Sequence, residues 1–421
     1  MATRASPGKA SAAALMEMSG GLRYVARQPI LDIRDRVHAY ELLFRAGPEA
    51  AFRGDGNMAT RTMLDNTVMF GLEKLTGGLP AFVNCTRESL TDDLVHVLPP
   101  SMTVLEILES LEPTPDLVEA CRKLKCAGFR LALDDFIWHE RFEPLVQLAD
   151  YIKVDFTLTG ATERKILLQK LRGVTVTLLA EKVETQQDYS QACDEGFTLF
   201  QGYYFCRPTL LENRKVPANR LSQFEILRMM RKDDLDLRQL TRLVKRDASL
   251  TYRLLRLVNS PMCAIRQEVK SIQSALLAVG EESFRRIATL AITSELSANQ
   301  PQEILRMAFV RGRFCELAAE RCGLDATEQY LMGLVSLLPA MLRIPMKDLT
   351  PALPLRKEIH LALNGAQNAE RELLAWVECH ERADWDACDE VVRAHRLNEH
   401  QLMSCYTEAM AWAEDALQAT Q

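Results

Sequence analysis

Histidine is scarce in this chain: there are 7 in 421 residues, and none lies between His139 and His360. A zinc centre built on imidazole has little to draw on. Cysteine does not fill the gap. The 11 cysteines are odd in number, scattered from Cys85 to Cys405, and form no Cys-x-x-Cys pair. Reduced, buried thiols are expected. No Gly-x-Gly-x-x-Gly or Walker-type loop is present, which weakens any open α/β fold that cradles nucleotide phosphates on glycines. No apolar run approaches the ~20 residues needed to span a bilayer. Positive charge is not in excess either. A net charge of −6 and a pI near 5.8 make a general nucleic-acid binder unlike this chain. Residues 1–21 hold only the short apolar run Ala12–Met16, too brief for a signal-peptide core, so a floppy tail and a cytoplasmic protein are expected.

What is present is a globular composition, 48% hydrophobic and 26% charged, over a length that calls for two domains. From Tyr24 to about Pro208, short apolar runs alternate with helical stretches. The runs are Val37–Phe44, Pro80–Asn84, Thr103–Ile107, Arg130–Leu133, Tyr151–Val154, Val174–Ala180 and Leu199–Phe205. Asn57–Leu75, Asp116–Cys126, Thr162–Leu171 and Gln186–Glu195 carry 3.6-residue apolar spacing. Few hairpin signals intervene, which predicts a parallel sheet covered by helices. Seven or so such units in this length fit an α/β barrel of the TIM type.

The polar residues sit where such a barrel builds its sites. Glu41, Asn84, Glu106, Asp134, Lys153, Glu181 and Gln201 each fall at or near the C-terminal end of a different run, and those ends converge on one face. Asp134 is followed directly by Asp135. Two carboxylates about 4 Å apart repel by roughly 4 kcal/mol at an effective dielectric near 20, so a cation is expected between them. Glu41, Asn84, Glu106, Asp134 and Asp135 offer oxygen, and Cys85 should face the other way. An all-oxygen set suits Mg²⁺ or Mn²⁺. Such ions support in-line displacement at phosphorus. Lys153 could then position water, Glu181 could accept its proton, and Arg45 could clamp a phosphate oxygen.

These segments resemble a known family. Gln28-Pro29-Ile30 and Glu41-Leu42-Leu43-Phe44-Arg45 open the pattern. Asn84, Glu106-Ile107-Leu108-Glu109, Asp134-Asp135-Phe136, Lys153-Val154-Asp155, Glu181-Lys182-Val183-Glu184-Thr185 and Gln201-Gly202-Tyr203 follow in order. Residues 22–210 are thereby similar to the EAL domain of cyclic di-GMP phosphodiesterases. The resemblance implies metal ligation by Glu41, Asn84, Glu106 and Asp134, with Asp135 on a second metal, and catalysis by Lys153 and Glu181. It implies nucleotide contacts from Gln28, Arg45 and Gln201, and a role for Glu109 in steadying the loop beyond Asp135. Two segments depart from it. Active members continue the aspartates with a Gly-Thr-Gly-Tyr-Ser-Ser-type loop that links metal binding to dimerisation, whereas this chain has Ile137-Trp138-His139-Glu140-Arg141. Lys182 stands where the family's Ala-Glu-Gly-Val-Glu has glycine. His139 is expected to be a solvent-facing loop residue.

Beyond a polar linker at 211–218, residues 219–421 read as helical throughout. Arginines at 228, 231, 238, 242, 246, 253 and 256 alternate with acidic and apolar residues, as on a solvated face. Asp247–Ser260 and Ser271–Gly280 resemble the HDOD domain, a helical relative of HD phosphohydrolases. At the place of the His-Asp pair stands Ser336-Leu337, so no enzyme is expected in this half. Trp376, Trp385 and Trp412 read as packing anchors. The two halves together resemble bacterial EAL–HDOD signalling proteins of the YuxH type. Three functions follow as expectations. The first is a cyclic di-GMP binder, weak or inactive as an enzyme, that passes its state to a protein partner of the HDOD module, with dimerisation open. The second is a working Mg²⁺/Mn²⁺ phosphodiesterase that yields linear pGpG. The third is a nucleotide-independent interaction scaffold.

Overall fold

Alternating apolar runs and helices close into a barrel in the computed structural model, which describes residues 24–45, 72–92, 94–206, 218–230, 237–265, 267–298, 300–353 and 355–420. The tail at 1–21, the linker except Ala218, and all but the end of the helix expected at Asn57–Leu75 lie outside the described residues; that end is the short helix Leu72–Thr76. Eight strands form a closed ring in chain order. They are β1 Tyr24–Asp32, β2 Val37–Arg45, β3 Ala81–Cys85, β4 Thr103–Ile107, β5 Arg130–Leu133, β6 Tyr151–Asp155, β7 Thr177–Glu181 and β8 Leu199–Gln201. Between them lie α1 Pro115–Cys126, α2 Ala161–Lys170 and α3 Gln186–Glu195.

The barrel is not wholly parallel. β1, which was not among the expected strands, runs antiparallel to both β2 and β8. Its Arg27-Gln28-Pro29 stretch breaks the apolar run that marks the other strands. The hairpin turn also hides, because it uses no glycine. Asp32 accepts the Arg34 and Arg36 amides at 2.8 and 3.0 Å, and Asp35 takes φ +57°, an Asx-type turn. Two further boundaries differ. Val174 is bonded back to Leu171 in a turn, so β7 starts at Thr177. β8 ends at Gln201 because Gly202 takes φ +146° and Tyr204–Cys206 coil into a 3₁₀ turn.

Side-chain alternation sorts the strands into two faces. Inward, Ile30, Ala39, Phe82, Val104, Ala132, Tyr151, Leu179 and Leu199 pack into one layer. Outward, Tyr40, Leu42, Val83, Cys85, Leu105, Leu131, Leu133, Val154 and Phe200 pack under the helices. Cys85 faces away from Asn84, as expected.

The second half is helical. Its longer elements are α4 Ala218–Met230, α5 Leu237–Lys245, α6 Ala248–Val258, α7 Ile272–Val279, α8 Glu281–Leu296, α9 Gln302–Cys322, α10 Ala326–Val335, α11 Lys357–Leu363, α12 Glu372–Glu381, α13 Trp385–His395 and α14 Glu399–Thr420. Side-chain oxygens cap several of them, for example Asp247 to Leu250 N–H at 3.0 Å and Ser271 to Ser274 N–H at 3.1 Å. α9 is the central helix. Phe314 stacks on Trp376, which stacks on His380 at 4.9 Å, and Tyr406 closes the group edge-on. Trp376 anchors packing, as its sequence context suggested. Arg228, Arg242 and Arg246 are exposed. Arg253 departs from the solvated face, bonding Glu295 at 2.8 Å and the Thr420 carbonyl at 3.0 Å. The described cysteines are all free, and Cys126 and Cys322 are exposed, contrary to the expectation of burial.

α9 and α10 cross so closely that a Cβ on Gly333 would lie 2.4 Å from the Arg311 carbonyl oxygen. Gly333→Ala should therefore force the helices apart and destabilise this half by about 1–3 kcal/mol. Thermal unfolding of the full chain measures it, and an unchanged melting temperature would contradict the packing described.

Candidate active site at the barrel mouth

The inward apolar layer is the floor of the site, and the polar residues stand two positions further along the same strands. Ala39 precedes Glu41, Phe82 precedes Asn84, Val104 precedes Glu106 and Ala132 precedes Asp134. Tyr151, Leu179 and Leu199 stand in the same relation to Lys153, Glu181 and Gln201. Two residues of strand advance about 6.7 Å, so all seven side chains rise to one level above the floor. In β1, which runs the other way, Ile30 belongs to the floor and Gln28 to the upper level, opposite Glu41.

Lys153 is the hub. Its side chain is 1% exposed, and its ammonium lies 2.6 Å from Glu106, 2.7 Å from Asp134, 3.0 Å from Glu181 and 3.5 Å from Glu41. The carboxamides complete the ring. Gln201 donates to Glu41 at 2.6 Å and to Gln28 at 2.9 Å, and Asn84 donates to Glu41 at 3.2 Å. Every one of the seven strand-end residues thus meets in one network. Arg45 ends β2, but its side chain lies outside the described residues.

Four carboxylates around one ammonium leave an excess of negative charge, and burial sharpens it. Burial and the Glu41 charge hold Glu106 well above the usual carboxylate range. Glu181 is pushed up to about 8 by burial, against the pull of Lys153 and with help from Asp134 and Glu41. Burial disfavours the Lys153 charge, yet Glu106, Glu181, Glu41 and Asp134 outweigh it and raise its pKa well above normal. Several acceptors remain buried without a hydrogen bond: Asn84 Oδ1, both Glu106 oxygens (one beside the ammonium but out of line), Glu181 Oε2 and Gln201 Oε1. Unmade bonds of this kind are costly. The oxygens of Asp134, Asp135 and Glu181 also lie within 4.8 Å of one another. The residues therefore fit a hard divalent cation.

The two departures from the family pattern take definite positions. Lys182, with φ +53°, sits in the left-handed region that suits the family's glycine. Its side chain stays about half exposed and its ammonium pairs with Asp155. Asp155 is buried and also accepts from Thr157 N–H at 2.6 Å and Leu158 N–H at 3.0 Å. Asp155 went unassigned in the sequence, although it follows Lys153 by two residues and so faces the same way. Asp135, at φ +40°, has its carboxyl pushed up by burial and the Asp134 charge, opposed by Lys182. Beyond it, Phe136 is buried in the layer under the helices while Ile137 is 66% exposed. Residues 136–139, Arg141 and Phe142 line a groove of about 290 Å³ with Glu109. His139 is exposed and accepts the Arg141 amide at 3.3 Å, so it stands off the ring.

Comparison with known proteins follows this division. The EAL domain model matches residues 60–208 and the HDOD domain model residues 217–373. The EAL match starts beyond Glu41, which the fold nonetheless brings into the ring. The uncharacterized protein YuxH of Bacillus subtilis is 34% identical over 407 residues, 94% of this chain and 99% of that one. The cyclic di-GMP phosphodiesterase CdgJ of Vibrio cholerae is 34% identical over 402 residues, 93% of this chain and 92% of that one. A Klebsiella pneumoniae BlrP1 calcium/cy-diGMP complex is 25% identical, covering 43% of this chain and 54% of that one with a TM-score of 0.37. No described helix is long and apolar enough to cross a membrane. With its barrel, its helical half and relatives matched almost end to end, the chain belongs to the EAL–HDOD family that includes YuxH and CdgJ.

Proposed function

We propose that this chain is a cytoplasmic cyclic di-GMP signalling protein whose barrel binds the nucleotide on its carboxylate face and hydrolyses it slowly. The helical half, beyond a boundary near 211–218, engages a protein partner. One observation carries the reading: a ring of seven strand-end residues with buried, unbonded acceptors, beside which Lys182 replaces glycine. Glu41, Asn84, Glu106 and Asp134 would hold one Mg²⁺ or Mn²⁺, and Asp135 with Asp134 and Glu181 a second. A bound cation would neutralise phosphate charge and acidify water. Glu181, with one oxygen 3.0 Å from Lys153 and the other buried without a partner, would accept the proton of the attacking water. Water then adds to one phosphorus, the bond to the ribose 3′ oxygen breaks, and that oxygen takes a proton, leaving linear pGpG. Lys153 holds four of these carboxylates in place. Gln28 and Gln201 brace Glu41 at the nucleotide face. Lys182, whose charge is coupled to Asp135 and Asp155, opposes a second cation and slows the step.

An efficient phosphodiesterase is the second reading, favoured by the intact ring. One assay separates them. Purified chain is incubated with cyclic di-GMP and Mn²⁺, formation of the linear dinucleotide is followed, and binding is measured by calorimetry. Wild type should bind and turn over slowly, and Glu41→Ala should lose both. Lys182→Gly should raise turnover about tenfold, the effect of ~1.4 kcal/mol. Fast wild-type turnover that Lys182→Gly leaves unchanged would favour the second reading. Absence of both binding and turnover would leave only an interaction scaffold.

A further inference from the structure

The helical half does more than follow the barrel in sequence, because it grips the outer face of the strands that carry Glu41 and Gln28. Tyr40, fully buried, points outward from β2 and donates its phenol to Glu303 of α9 at 2.7 Å. Arg27 of β1 lies 4.9 Å from the Tyr40 ring centroid and Arg306 of α9 lies 6.0 Å away. Arg306 pairs with Glu303 at 3.0 Å and with Glu414 of α14, which also meets Arg27 at 3.4 Å. Two arginines and two glutamates, drawn from both halves, thus enclose one phenol. Parting the halves would break the Tyr40–Glu303 and Arg27–Glu414 contacts, while Arg306 would keep both of its glutamates.

Tyr40 and Glu41 are adjacent on one strand with side chains on opposite faces. A displacement of the phenol therefore carries the Glu41 backbone with it. A second strap reaches the same carboxylate. Gln201, bonded to Glu41 at 2.6 Å, is followed by Gly202, where a Cβ would fall 2.2 Å from the Val183 carbonyl oxygen. With no slack at that turn, the chain runs straight into the helical core. Tyr203, Phe205 and Cys206 pack against it, and Cys206 Sγ lies 3.7 Å from Met307 Sδ of α9.

From these contacts we infer that Glu303, acting through Tyr40, is a positioning residue for Glu41, so that docking of the helical half sets the barrel's affinity for a divalent cation. The inference rests on the reading of the carboxylate ring as a metal site. It makes α9 the route by which a partner of the helical half reaches the nucleotide face, and linkage requires the effect to run both ways.

The test uses the full chain and Mn²⁺ titrated by calorimetry without nucleotide. Tyr40→Phe removes the bond while keeping the ring, and should weaken Mn²⁺ binding about tenfold, the usual scale of coupling between linked sites. Glu303→Gln keeps an acceptor for the phenol and should bind as wild type does. Leu254→Ala opens a cavity at α6, which carries none of these contacts. It should lower the melting temperature yet leave Mn²⁺ affinity unchanged, separating positioning from general loss of stability. If wild type binds Mn²⁺ and Tyr40→Phe binds it equally well, the coupling is overturned while the site reading stands. If Leu254→Ala weakens binding as much as Tyr40→Phe, the effect is stability alone and the coupling is again overturned. If wild type binds neither Mn²⁺ nor cyclic di-GMP, the site reading falls and the coupling with it.

Discussion

Replacing Lys153 with methionine should destabilise the metal-free barrel by about 3–5 kcal/mol, the usual cost of removing one partner from a buried ion pair. In a barrel of this size that corresponds to a fall in melting temperature on the order of 10 °C. The cause is local. Four carboxylates lie within 3.5 Å of that ammonium, and among the described residues no other cation makes an ion pair with them. The pH dependence has a fixed sign. Glu181 and Glu106 already carry raised pKa values in the folded chain. A carboxyl with a raised folded pKa binds more protons folded than unfolded, so its penalty is full above the folded pKa and fades as pH falls toward the unfolded value near 4.3. The variant's deficit should therefore be greater at pH 8 than at pH 5. Mn²⁺ should restore part of it at pH 8. Melting curves at both pH values check this, and a deficit that grows on acidification would refute the charge argument.

Arg311→Met should produce the second large loss, about 3–5 kcal/mol in the helical half. Arg311 is buried inside α9 and donates to Glu381 at 2.6 Å and to Ser336 at 3.1 Å, with Glu378 at 3.4 Å. Burial works against its charge, but Glu381 and Glu378 outweigh burial and raise its pKa. The guanidinium thus ties α9 to α12 and to Ser336 at the end of α10. Removing that guanidinium strands Glu381, a buried carboxylate whose pKa burial already raises. As with Glu181, the deficit should be greater at pH 8 than at pH 5. Arg311→Met combined with Glu381→Leu should recover most of the loss, since an apolar pair of similar volume replaces a buried ion pair at little cost. Chemical denaturation of the three chains measures this. A double variant no better than the single one would show that packing, not charge, governs the site.

Much of this was legible in the residue order, for a physical reason. Strand alternation is a local rule, so a polar residue two positions beyond an inward apolar one, as Lys153 is beyond Tyr151, must face the same way and one level higher. Seven such pairs place a ring at one mouth of the barrel. The oxygen character of the candidate metal ligands depends on residue identity alone, and the helical second half depends on periodicity alone. β1 escaped because Pro29 and the polar pair before it break the period-2 pattern, and because its turn at Asp32–Arg36 uses carboxylate acceptors in place of glycine.

What the tertiary structure alone decided are the relations between residues far apart in sequence. Residue identity placed Lys153 and Lys182 near the site but could not say which way Lys182 points. The fold puts Lys153 at the centre of four carboxylates and leaves Lys182, with a left-handed φ at the end of β7, half exposed and paired with Asp155. Nor could any local pattern join Tyr40 to Glu303, 263 residues away. Alternation fixes the face on which a side chain stands. Which surface meets that face depends on how two cores pack, and packing is a property of the whole chain.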